Sequence, residues 1–177
     1  MTPDRSIKVL GIDPGTGVVG YGVVARDPGA RIGRLVECGV IRTSPRSPLP
    51  NRLKAIHEGL TELLGRHAPD ALAVEDIFFG SNVRTMAVLG HARGVILLSG
   101  AVAGIPVFEY PPAMVKKAIV GRGGALKPQI GFMVAKLLGL RAAPTPADAA
   151  DGVAIALAHL LIGGNGKRPA AATRRAR

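Results

Sequence analysis

Four acidic side chains stand where apolar segments of this chain end. They are Asp13 in Gly11-Ile-Asp-Pro-Gly15, Glu75 in Ala73-Val-Glu-Asp-Ile-Phe78, and the pair Asp148 and Asp151 in Ala147-Asp-Ala-Ala-Asp-Gly152. With only 12 acidic residues against 23 basic ones, acids at these positions call for a specific use. Carboxylates gathered in one place repel one another unless a cation lies between them, and hard oxygen donors suit Mg²⁺ or Mn²⁺. Three separate segments, each offering acids at an element end, give the layout of a two-metal phosphodiester site, in which the ions sit about 4 Å apart. The chemistry expected is metal-dependent nuclease action, with Asp13, Glu75, Asp148 and Asp151 as catalytic and metal-binding residues.

Each acid also has a plainer reading. Asp13 precedes Pro14 and suits a turn, and Glu75 could be an ordinary strand-end carboxylate. Asp148 and Asp151 follow Pro146 in the first turns of an expected helix, where the positive end of the helix dipole favours negative charge. Against this, residues three apart share a helix face, so Asp148 and Asp151 project together and would destabilise the helix without a cation. Alternate residues of a strand face opposite ways, which sets Asp76 apart from Glu75 and leaves it out of the ligand set.

The elements that must position these residues follow from periodicity. Ile7–Ile12 reads as a buried strand closed by the turn Asp13-Pro14-Gly15-Thr16-Gly17, Val18–Ala25 as a second strand, and Ile32–Arg42 as a third, forming an antiparallel meander. A Pro- and Ser-rich loop spans residues 43–50. Leu53, Ile56, Leu60, Leu63 and Leu64 then recur at helical spacing. Ala71–Glu75 returns to strand, residues 82–103 read as a helix, and Pro106–Glu109 as a fifth short strand. Residues 127–139 and 146–162 read as two more helices. The order predicts an α/β fold: a five-stranded mixed sheet, three strands antiparallel and two parallel, flanked by helices. One domain is expected over residues 1–162, with a basic, disordered tail over 163–177.

Bulk composition narrows the partner. The formal charge is +11 and the pI near 10.9, values that point to a polyanion. Residues 167–177 hold Lys167, Arg168, Arg174, Arg175 and Arg177 and no acid, but the rest of the chain is basic as well. Aromatics make up only 3% of the sequence, so the core is aliphatic and the neighbouring Phe78 and Phe79 stand out. Two successive phenylalanines are not readily both buried, and an exposed ring suits stacking on a base. Lys116, Lys117, Arg122 and Lys127 surround Gly121-Arg-Gly-Gly124, a mobile basic loop suited to the phosphate backbone. The lone Cys38 excludes a disulfide within the chain and fits a reducing compartment. No signal-peptide core is visible, and the uncharged stretch 94–108 is too short for a membrane span. A soluble, cytoplasmic protein without a membrane partner is expected.

Gly15-Thr-Gly-Val-Val-Gly20 follows a strand and imitates a dinucleotide-binding fingerprint, with Glu37 at the expected distance. That fingerprint must open a helix, whereas these glycines open a β-branched run, so the reading is rejected.

Taken together, Gly11-Ile-Asp-Pro-Gly15 leading into Gly20-Tyr-Gly-Val23, Ala73-Val-Glu-Asp-Ile-Phe78, Gly90-His-Ala-Arg-Gly94, Val107-Phe-Glu-Tyr110 and Asp148-Ala-Ala-Asp-Gly152 resemble the RuvC family of bacterial Holliday-junction resolvases. The resemblance runs from about residue 7 to 160, in order and at the family's spacing. It implies a ribonuclease-H-like fold and a homodimer that makes paired symmetric nicks in four-way DNA junctions, leaving 5′-phosphate and 3′-hydroxyl ends, in recombination and repair. It also implies two Mg²⁺ ions per subunit, with Mn²⁺ able to substitute, and a branch-migration motor, RuvA and RuvB, as partner. Phe78 matches the family's base-stacking aromatic, and Lys116 and Lys127 match lysines near the DNA. Two competing readings are a noncatalytic junction-binding module on the same fold and a fragment of an actin-like or Hsp70-like ATPase. The first gains nothing from carboxylates facing phosphates, and the second needs two such domains. Gly152 and Gly131 are departures expected to weaken their helices by about 1 kcal/mol at most. His159 is read as structural, and His91 has no assigned role.

Overall fold

The computed structural model describes residues 5–76 and 82–163. Three strands, β1 (Ile7–Asp13), β2 (Val18–Arg26) and β3 (Arg34–Arg42), form the antiparallel meander; β4 (Ala71–Glu75) and β5 (Val107–Tyr110) extend it as parallel strands. The sheet order is β3-β2-β1-β4-β5. The expected mixed five-stranded sheet is therefore present, and β3 starts two residues later than its apolar pattern indicates, at Arg34.

Strand parity divides the core into two layers. Val9, Ala71, Ala73 and Tyr110 face one side, while Leu10, Ile12, Leu72 and Val74 face the other. The second side is covered by α1 (Leu49–His67) and α2 (Val83–Val102) through Ile56, Leu60, Leu63, Leu64, Ala92 and Ile96. The α1 residues among these recur at helical spacing, as expected. Asn82 caps α2, its side chain accepting from the Thr85 amide at 3.0 Å.

The first side is covered by α5 (Ala147–Ile162), with α3 (Pro112–Val120) and α4 (Lys127–Leu138) packed outside it. Every residue from Gly152 to Leu160 is buried, because α5 lies between the sheet and two helices. A helix apolar all round is what such a position requires. The sequence reading missed α3. It is only nine residues long and begins at Pro112, which is favourable at a first helical position; its only buried residues are Val115 and Ile119. Two buried positions are too few to reveal a period. Lys116 and Lys117 therefore sit on a helix, and the connection between α3 and α4 begins only at Gly121.

Gly152 is the second correction. A Cβ at that position would lie 2.6 Å from the Tyr21 backbone, so its role is contact and not a lapse in helix propensity. The facing strand positions are glycines for the same reason: a Cβ on Gly11 would meet the Gly152 carbonyl oxygen at 2.2 Å, and one on Gly20 would meet that of Asp148 at 1.9 Å. Backbone rests on backbone where α5 crosses β1 and β2. This contact brings the start of α5 to the end of β1.

Candidate active site

Asp13 ends β1 and Glu75 ends β4, one residue past the last ladder pair between those strands, Ile12 with Val74. By parity both belong to the α5 side of the sheet, and both line a cavity of about 100 Å³ shared with Asp151, Lys116, Lys127, Pro112, Val115 and Ile155. Asp13, Asp148 and Asp151 each bring a carboxylate oxygen within 4.8 Å of the other two. The N-cap of α5 is Pro146, which makes no side-chain capping bond, and Asp148 lies in the first turn beyond it. The helix dipole favours its charge there, as expected, and its carboxylate is at the same time turned to the acidic cluster.

The loop after Asp13 is held from α1 and β3. Thr43 Oγ1 donates to the Thr16 carbonyl at 2.7 Å, Arg52 Nε donates to Thr43 Oγ1 at 3.2 Å, and an Arg52 guanidinium nitrogen also donates to the Thr16 carbonyl. Nothing in the spacing of Arg52 from Asp13 could have shown this, because the contact joins a helix start to a distant turn.

The electrostatics follow from crowding. Burial pushes the Asp13 carboxyl up to about 8, and the neighbouring Glu75, Asp151 and Asp148 charges push the same way, against Lys127. Glu75 is also raised, first by burial and then by Asp151, while a hydrogen bond from Asp13 and the charges of Lys127 and Lys116 oppose this. Both carboxyls are thus held toward the protonated form, an effect that a nearby cation would oppose. Lys127 Nζ donates to Asp151 Oδ2 at 2.6 Å, and this bond raises the lysine above its usual range, helped by the charges of Asp151, Asp13 and Asp148. An all-carboxylate donor set that already draws in an ammonium group and retains a proton fits hard divalent cations.

Of the residues expected to contact nucleic acid, Lys116 and Lys127 line the cavity. Lys117 and Arg122 lie exposed on α3 and just beyond it, and neither lines the cavity. Phe78 and Phe79 lie outside the described residues. Asp76 points to the opposite side of the sheet from Glu75, as parity requires, and pairs with Arg93 of α2 at 3.2 Å. His159 is buried at the far end of α5, where its Nδ1 and the Tyr110 hydroxyl are hydrogen-bonded at 2.8 Å and its ring meets Phe108 edge-on. Burial holds its pKa down to about 4. It lies away from the carboxylates, in keeping with a structural role.

The sheet order, the helices on both faces and the acids at the ends of β1, β4 and the start of α5 define a ribonuclease-H-like fold with a carboxylate site. The family model for the crossover junction endodeoxyribonuclease RuvC matches residues 9–159. This chain belongs to the RuvC family. A RuvC of Chloroflexus aggregans is 50% identical over 153 residues, 86% of this chain and 92% of that protein. A RuvC of Pelotomaculum thermopropionicum is 48% identical over 151 residues, covering 85% and 91%. Among solved structures, Thermus thermophilus RuvC superposes with a TM-score of 0.84 at 40% identity, over 92% of this chain and 100% of that one. The T. thermophilus protein in complex with a Holliday junction substrate gives 0.82 at 37% identity, over 92% and 99%. A yeast mitochondrial Holliday junction resolvase shares the fold at 13% identity, with a TM-score of 0.65 over 91% of this chain and 80% of that one.

Proposed function

We propose that this protein is a Holliday-junction resolvase, a structure-specific endonuclease that makes paired symmetric nicks in four-way DNA junctions during recombination and repair. The observation that carries this reading is the convergence of Asp13, Asp148 and Asp151 within 4.8 Å, with Glu75 beside Asp13 and Asp151 in a cavity that has two lysines on its wall. Asp13, Glu75, Asp148 and Asp151 would hold two divalent ions per subunit, Mg²⁺ or in its place Mn²⁺. Bound there, the ions supply positive charge to the scissile phosphate and acidify an attacking water. Lys116 and Lys127 hold the phosphate backbone against the carboxylates, and Lys117 and Arg122 extend the basic track beyond the cavity. Phe78 or Phe79 stacks on a base near the junction centre. The products carry 5′-phosphate and 3′-hydroxyl ends.

The working unit in this proposal is a homodimer, since paired nicks need two sites. The exposed side of α2 supports it. Val83, Leu98 and Val102 are 82%, 58% and 73% exposed on a helix that is long and apolar enough to cross a membrane by length and composition alone. Arg93 of the same helix is paired with acids of the sheet, which favours a second copy over lipid as the cover. Residues 1–162 would act as one nuclease domain and residues 163–177 as a basic tether to DNA, in the cytoplasm, alongside the RuvA and RuvB motor.

The test is cleavage of a synthetic four-way junction in Mg²⁺ or Mn²⁺. Symmetric nicks are expected, and Asp13→Asn should bind the junction without cutting it. Full cleavage by that variant would remove Asp13 from the site, and equal cutting of plain duplex by the unaltered protein would remove the junction specificity.

A further inference from the structure

Behind the carboxylate site, on the opposite face of the sheet, lies a second group of charges. Asp76 directly follows Glu75, and its amide donates to the Tyr110 carbonyl at 2.8 Å, continuing the β4–β5 ladder by one step. Glu109 stands on β5 opposite Val74 and is 18% exposed as a side chain. Two carboxylates thus sit side by side at the ends of adjacent parallel strands, on the α2 side. Arg93 of α2 reaches both: its Nη2 lies 3.2 Å from Asp76 Oδ1 and in close contact with Glu109 Oε2. The arginine side chain is only 23% exposed. Its Nε is buried and makes no hydrogen bond among the described residues.

A guanidinium that bridges two carboxylates fixes their separation as well as neutralising them, because its donors lie in one rigid plane. Here the two carboxylates belong to the strands whose ends carry Glu75 and Tyr110 in register. Without the bridge, Glu109 would be left as a largely buried charge whose ion pair is gone, and the end of β5 would lose its tie to the residue that follows β4. Glu75, between Val74 and Asp76, would then lose the backbone reference that points its carboxylate at Asp13.

We infer that Arg93 is a positioning residue for Glu75, locking the ends of β4 and β5 from the face of the sheet opposite the metal site. The inference rests on the proposed nuclease reading, and its test separates the two. Arg93→Met, Arg93→Lys and Glu109→Gln are compared with the unaltered protein by Mn²⁺ titration without DNA, by junction affinity, by kcat and KM for junction cleavage, and by thermal unfolding. Arg93→Met should lose at least tenfold in both Mn²⁺ affinity and kcat while junction affinity and KM stay within about twofold. Arg93→Lys, which keeps the charge but not the planar N–H donors of Nη2, should recover part of the loss. Glu109→Gln keeps Arg93 and one acid, so it should fold and lose severalfold in kcat; it decides the matter if Arg93→Met does not fold. Unchanged Mn²⁺ affinity and kcat in folded Arg93→Met, whatever its melting temperature, would overturn the inference. If Arg93→Met does not fold, an unchanged kcat in Glu109→Gln overturns it. Failure of the unaltered protein to cut the junction would instead overturn the nuclease reading.

Discussion

Lys127 Nζ lies 2.6 Å from Asp151 Oδ2, so the acidic cluster already holds one cation of the protein's own. The lysine starts α4, the aspartate lies in α5, and the ammonium also faces the charges of Asp13 and Asp148. A divalent ion that uses Asp151 must displace this contact. Lys127→Met should therefore bind Mn²⁺ more tightly in the absence of DNA. The lysine side chain is 70% exposed, so solvent screening limits the gain to about three- to tenfold. The same variant should cut junctions at least tenfold more slowly, since the freed ammonium would otherwise hold a phosphate. Calorimetric or paramagnetic Mn²⁺ titration beside a cleavage assay checks both. Weaker Mn²⁺ binding by the variant would show that the lysine does not compete for the site.

Metal binding should depend on pH through Asp13. Its carboxyl retains a proton up to about 8 because of burial and its acidic neighbours, and a cation must expel that proton. Affinity for Mg²⁺ should rise as pH is raised toward 8 and level off above it. Stability of the metal-free protein should run the other way. The folded pKa lies above the unfolded value of 3.8, so the contribution is fully present below about 4 and is lost as pH rises through 8. Asp13→Asn should weaken both trends and leave the part due to Glu75, which burial and Asp151 also raise, read by metal titration and by denaturant unfolding across that range.

Gly20→Ala tests the contact between α5 and the sheet without altering any reactive group. The added Cβ would stand 1.9 Å from the Asp148 carbonyl oxygen, and backbone cannot yield as a flexible side chain does. A loss of about 1–3 kcal/mol in stability is expected. Cleavage should fall by at least tenfold even at temperatures where the variant is fully folded, because the start of α5 is moved away from Asp13. Normal activity in the folded variant would mean that the site tolerates that displacement.

His159 predicts a weakness in acid. Burial, with the charge of Arg26 adding to it, holds its pKa near 4, against an ordinary 6.5. Its stabilising contribution is present above about 6.5 and is lost as pH falls toward 4, where the unfolded chain takes up a proton that the folded one refuses. His159→Leu should flatten that part of the stability profile. It should also cost about 1–3 kcal/mol at neutral pH, by removing the ring nitrogen that is hydrogen-bonded to the buried Tyr110 hydroxyl.

Much of the frame was legible from local pattern. Alternation and turn residues marked the five strands. Parity separated Glu75 from Asp76, which the structure places on opposite faces of the sheet, and the three-residue spacing brought Asp148 and Asp151 to one side of α5. These are short-range consequences of backbone geometry, and a linear sequence records them directly. Helix α3 escaped because nine residues with two buried positions carry too little periodicity.

What only the tertiary structure decided are relations between residues far apart in the chain. Gly11 and Gly20 read as letters of strand motifs, and Gly152 as a departure from helix propensity, until α5 is seen resting on β1 and β2. Arg93 was one letter of a motif until it was found between Asp76 and Glu109, and Lys127 one of several basic residues until it was found on Asp151. Composition and spacing determined that the chain carries acids able to hold cations. Close backbone packing, which removes the space a side chain would fill, decided that these acids converge at one end of the sheet.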